Sequence, residues 1–158
     1  MTVSEIEEKA AEIRDRYGDN FNVVQAARDL GFEVYDAEFR NHNVAGKIVF
    51  SNDEKAIYVN KNDIPVRKKF TVAHEIGHFV LHHGGGDGNF RMVDYRGMNE
   101  GFDQREWEAN QFAASLLMPK EMTERKWREL QDVDDLAAEM GVSKMAAAIR
   151  LMNLGLLD

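Results

Sequence analysis

Two histidines four residues apart, His74 and His78, with an acid directly after the first, Glu75, are the residues of this sequence best suited to do chemistry. On a helix, positions i and i+4 lie one turn apart on one face, so two imidazoles at that spacing can grip one metal ion. An acid at i+1 is rotated about 100° away from the first histidine. Glu75 is thereby placed to take a proton from a water beside the metal instead of binding the metal itself. The competing reading is a pair of solvated histidines. Against it, Phe70, Ala73, Gly77 and Val80 define an apolar face next to the histidine line, and Val72, Phe79 and Leu81 are apolar too. Gly77 costs about 1 kcal/mol of helix propensity relative to alanine, which is accounted for if another backbone or a ligand must approach closely.

A catalytic zinc takes three protein ligands and keeps a fourth position open. The sequence has no cysteine, so the ligands must be His, Asp, Glu or Asn, and one zinc per chain is expected. Glu106 and Glu108 sit on an expected helix over 103–118 and point about 200° apart, so only one of them can face the metal. Glu106 is the better choice because Asn110, four residues on, shares its face and could orient a ligand from behind. Ala113 and Leu117 continue that stripe, and Glu108 is read as outward-facing. Asp103, His82 and His83 are weaker ligand candidates. An oxyanion formed in peptide hydrolysis needs a further stabiliser. Tyr95, Arg96, His82 and His83 are available, and Tyr95 is preferred because its segment must cross near the site; a tyrosine half-buried on a strand serves equally well.

The elements that must position these residues are readable from periodicity. Two short helices are expected at residues 4–17, capped by Ser4, and at 22–30. Phe32–Phe39, Val44–Phe50 and Ala56–Asn60 are rich in Val, Ile, Phe and Tyr and separated by turn residues, so they read as three strands. Pro65 opens a helix running to about Leu81. Residues 89–102 are hard to segment, although Phe90–Tyr95 has the look of a short strand. The strand before the metal helix is expected at an exposed sheet edge, where an extended substrate could pair with it. The stretch 84–102, with its run of glycines, would cover the cleft as a lid; a plain surface loop fits equally. Helices near 103–118, 119–131, 132–140 and 143–154 complete the chain. The expected class is α+β: a small antiparallel three-stranded sheet packed on the metal helix, with a helical C-terminal third. One domain over 1–158 is expected, with the sheet and metal-binding helices in 1–118 and C-terminal helices in 119–158.

FTVAHEIGHFVLHH at 70–83, followed by REWEANQFAASLLMP at 105–119, resembles the ImmA/IrrE family of metallopeptidases. LGFEVYDAEF and VAGKIVFSNDEKAIYVN upstream are similar to that family's sheet. The resemblance implies that His74, His78 and Glu106 bind zinc and that Glu75 is the base. It also implies a protein substrate, typically a helix-turn-helix repressor encoded nearby, cut for regulation.

Residues 132–158 offer a different function, because two short helices flanking Gly141 resemble a helix-turn-helix. The charges disagree with DNA binding. Asp132, Asp134, Asp135, Glu139 and Asp158 outnumber Lys144 and Arg150, and the chain as a whole carries −8. Such a surface repels phosphate, so a packing or partner-docking role is expected and no direct nucleic-acid binding. A second alternative is a zinc-stabilised protein that sequesters a repressor or toxin without cutting it. A purely structural site would have no use for Glu75. The charged first residues lack the apolar segment of a signal peptide, and no apolar run approaches the roughly 20 residues that span a membrane, so a cytoplasmic location is expected.

Overall fold

Thr2, two residues earlier than Ser4, caps the first helix: its hydroxyl accepts the Glu5 N–H, and α1 (Val3–Arg14) buries Ile6, Ala10 and Ile13 along one stripe. The structure, a computed structural model, describes residues 1–82, 88–95 and 103–158. Asn22 caps α2 (Val23–Asp29) in the same way. Three strands follow, β1 (Glu33–Ala37), β2 (Val44–Phe50) and β3 (Lys55–Asn60), and then the long helix α3 (Pro65–His82). A fourth strand, β4 (Phe90–Tyr95), precedes α4 (Gln104–Leu117), which Asp103 caps. The chain ends in α5 (Lys120–Leu130), α6 (Val133–Met140) and α7 (Lys144–Asn153).

The sheet has four strands in the order β1-β3-β2-β4, and it is mixed, not the three-stranded antiparallel sheet expected. The β2–β3 hairpin turns at Ser51–Glu54, where the Ser51 N–H donates to the Glu54 carbonyl at 2.7 Å. β3 then lies between β2, to which it is antiparallel, and β1, to which it is parallel. Burial explains the order. Ala56, Ile57, Val59 and Asn60 are all buried, so β3 presents non-solvated residues to both faces, as an interior strand must. β1 is the more exposed strand and takes an edge. The expectation that β3 forms the free edge is therefore overturned; among the described strands the edge on the other side is β4.

α3 packs along β2, β3 and β4 on one side and against α4 on another. Phe79 stitches it to the sheet through Phe32 and Phe50, each 4.9 Å away between ring centroids, and through Phe90 at 6.3 Å. Gly77 is where α4 comes closest: a β-carbon there would sit 3.2 Å from the Ala109 carbonyl and 3.0 Å from Phe112. The apolar cluster is continuous from Ile6 through Ile76, Phe112 and Leu116 to Leu136 and Leu151.

The helix pair α6–α7 has the expected turn, with Gly141 in the left-handed region and Ser143 capping α7. Arg150, however, is 2 % exposed. Its Nε donates to the Met118 carbonyl at 3.0 Å and its Nη2 to Glu7 at 2.6 Å, so it ties α7 to α1 and to the end of α4. Lys144 lies 3.3 Å from Asp134. No described helix is long and apolar enough to cross a membrane.

Candidate metal centre

His74 and His78 project from the middle of α3, where Thr71 to His78 are all buried. Their rings meet edge to face at 4.6 Å. The Nε2 atoms of both aim at the same two carboxylates. Glu106 of α4 places Oε2 3.0 Å from His74 and Oε1 2.8 Å from His78. Asp94 of β4 places Oδ1 3.1 Å from His74 and 3.0 Å from His78.

Asp94 was not among the residues expected from sequence. Strand alternation puts it there. Phe90, Met92 and Asp94 share one face of β4, and Phe90 packs on Phe79 of α3, so that face is turned to the metal helix. A buried acid on the apolar face of a strand was the available signal. The same alternation turns Tyr95 away: it is 54 % exposed, which argues against the oxyanion role expected of it.

Glu75 is fully buried, and neither of its carboxyl oxygens has a hydrogen-bond partner of normal geometry. It lies beneath β2, where Gly46 leaves room; a β-carbon on Gly46 would come within 2.4 Å of Thr71 Cγ2 and 3.7 Å of Glu75 Oε2. Burial pushes the Glu75 carboxyl well above its usual range, and Asp94 and Glu106 push it the same way. Burial also pushes Asp94 up, but the nearby Glu75, His74 and His78 prevail and hold it well below the carboxylate range. Burial lowers His74, yet Asp94 and Glu106 outweigh it and raise the imidazole to about 9. His78 is raised for the same reasons. Two imidazoles drawn to paired carboxylates, with Asp94 Oδ2 and both Glu75 oxygens unpartnered, form the donor set a divalent cation would satisfy.

Behind His78 runs a second layer. His78 Nδ1 is 3.1 Å from His82 Nδ1, and His82 Nε2 is 3.0 Å from Glu108 Oε1. One proton pattern serves the whole chain of contacts: His78 donates from Nδ1 to His82, which donates from Nε2 to Glu108. That leaves His78 Nε2 free to bind a cation. Glu108 also accepts from the Met1 amine at 2.7 Å and from Gln104 at 3.1 Å. The Met1 bond comes first among the causes that lower Glu108 to about 2. Glu108 is therefore buried, not outward-facing. Asn110, expected behind a ligand, is exposed and makes no side-chain hydrogen bond to a site residue among the described residues. The buried stripe of α4 runs through Glu108, Ala109, Phe112 and Leu116, and Glu106 reaches inward from its margin. Among the weaker ligand candidates, Asp103 caps α4. His83, Arg96 and most of the expected lid lie outside the described residues; the part of 84–102 that includes Phe90–Tyr95 is strand β4.

Residues 27–152 match the family model Peptidase_M78, described as IrrE N-terminal-like domain. "Uncharacterized immunity region protein 2" of Bacillus phage phi105 is 28 % identical over 110 residues, covering 70 % of this chain and 67 % of that protein. A solved "Mycobacterium tuberculosis transcriptional regulator" superposes with a TM-score of 0.66 over 93 % of this chain at 17 % identity. This chain spans 46 % of that structure, about half its length, and the likeness is one of fold. Matched from within α2 to within α7, the chain belongs to the IrrE N-terminal-like domain family.

Proposed function

We propose that this chain is a zinc-dependent endopeptidase acting on one specific protein, with a helix-turn-helix repressor encoded nearby as the first substrate to test. The observation that carries the reading is the convergence of His74 and His78 on Glu106 beside a fully buried, unpartnered Glu75. His74, His78 and Glu106 would hold the metal, a nitrogen and oxygen set that suits zinc. When bound, zinc polarises the scissile carbonyl and makes a neighbouring water more acidic. Glu75 takes the proton of the attacking water and hands it to the departing amine. A cation in the site would oppose the upward push that burial, Asp94 and Glu106 exert on the Glu75 carboxyl. β4, the edge strand carrying Asp94, is the natural rail for an extended substrate. The name of the phage relative, an immunity region protein, supports a regulatory substrate.

The experiment is to co-express the neighbouring repressor with wild type or Glu75→Gln and follow repressor length and repression together. Glutamine is nearly isosteric and should leave the metal in place, but it cannot accept a proton. General-base catalysis is worth about 10²–10⁴-fold, so the variant should leave the repressor intact and repression standing. A second reading, sequestration without cleavage, draws on the presence of a fourth donor, Asp94, at the histidines. It replaces the first if Glu75→Gln relieves repression while the repressor stays full length.

A further inference from the structure

We infer that Asp94 is a fourth protein ligand that closes the metal centre at rest, so that the chain as folded here is the latent form of the enzyme. The inference rests on the metallopeptidase reading above. Catalytic zinc sites keep one coordination position open, whereas structural sites fill all four with protein atoms. Here four side chains meet. Asp94 Oδ1 is 3.1 Å from His74 Nε2 and 3.0 Å from His78 Nε2, close to the 3.0 and 2.8 Å of Glu106. Asp94 Oδ1 therefore faces the same pair of nitrogens that Glu106 faces. The position Asp94 takes is the one a water and a scissile carbonyl need.

The surroundings make Asp94 the removable member of the set. His74 and His78 are fixed in the middle of α3, and Glu106 stands in the first turn of α4. Asp94 is the penultimate residue of β4, a strand paired on one side only among the described strands. Its pairing with β2 is irregular at this point: Tyr95 pairs with Val44 and Asp94 with Gly46, so Ala45 is skipped. Asp94 rides on the element an incoming extended chain would meet first. It is also 5 % exposed, so while it stays in place it shields the fully buried Glu75. Opening needs only that one carboxylate leave.

The test uses the full chain loaded with one equivalent of Co²⁺ in place of zinc. Wild type, Asp94→Ala and Asp94→Asn are compared by visible ligand-field spectrum and by titration with acetohydroxamate, a small metal-binding probe. If Asp94 fills the position more than nine-tenths of the time, removing it should tighten the probe by about tenfold or more. The spectrum of Asp94→Ala should differ from wild type, with Asp94→Asn between them. Identical spectra and equal probe affinities in all three proteins would overturn the inference and leave the peptidase reading standing. Loss of metal from both variants would also overturn it, since Asp94 would then be a structural holder and not a gate. A wild-type chain that binds neither Co²⁺ nor Zn²⁺ would sink the peptidase reading itself.

Discussion

Gly77→Ala is the substitution whose outcome the packing dictates most closely. Alanine favours the helix by about 1 kcal/mol over glycine, so on an exposed helix the change would stabilise. Here the new methyl would lie 3.0 and 3.1 Å from two atoms of Phe112 and 3.2 Å from the Ala109 carbonyl. Non-bonded carbons prefer about 3.5–4.0 Å, so α4 must retreat by several tenths of an ångström. Phe112 is fully buried and cannot swing aside. Overpacking of this kind costs about 1–3 kcal/mol, leaving a net loss of about 0–2 kcal/mol without metal. A second effect rides on the first. α4 carries Glu106, so its retreat loosens a ligand, and metal affinity should fall by about 10-fold. At saturating zinc that adds about 1.4 kcal/mol to the difference. Urea denaturation with chelator and with excess zinc, alongside a chromogenic zinc competition, measures both parts. A variant that is more stable than wild type in chelator and binds zinc equally well would show that the two helices are not in tight contact at Gly77.

Gly46→Ala should cost about 1–3 kcal/mol, because the new carbon meets Thr71 Cγ2 at 2.4 Å; Thr71→Ser removes that methyl and should restore part of the loss in the same denaturation assay. His82→Ala should leave one metal per chain but weaken its binding by about 10–100-fold, read by competition with a chelator. Arg150→Met should destabilise by about 2–5 kcal/mol, since it strands the Met118 carbonyl and Glu7; an unchanged urea midpoint would contradict the burial argument. Burial and the Asp29 bond raise Tyr17 to about 12. Its folded value exceeds its unfolded one, so this contribution to stability is present below about pH 10 and is lost as the pH climbs toward 12. Absorbance at alkaline pH should show Tyr17 titrating earlier in Asp29→Asn.

The helices and the histidine pair were legible because their information is local. A period of 3.6 residues and an opening Pro65 suffice for α3, and the strand segments lie within two residues of those expected. The order of the strands was not legible, since the placement of β3 between β1 and β2 depends on contacts distant in sequence. A hint lay in Ala56-Ile57-Tyr58-Val59, a nearly continuous apolar run of the kind an interior strand needs. Glu108 was misplaced by a geometric shortcut. A helix reasoned about alone has one buried face, but α4 is packed by α3 on one side and by α1 on another, so residues about 200° apart are both drawn in. Tyr95 and Asp94 are neighbours on a strand, and choosing the wrong one of such a pair inverts the face entirely.

The bond between Arg150 and Glu7 spans 143 residues, and that between Met1 and Glu108 spans 107. At about 5–20 residues per second of synthesis, roughly 7–29 s pass between the emergence of the two ends of the first bond. Throughout that interval α1 lacks its clasp to the last helix. The tie between α7 and α1, which packs on α4, is consequently among the last of these contacts to form. A growing chain halted before α7 carries the histidines while α1 still lacks that tie.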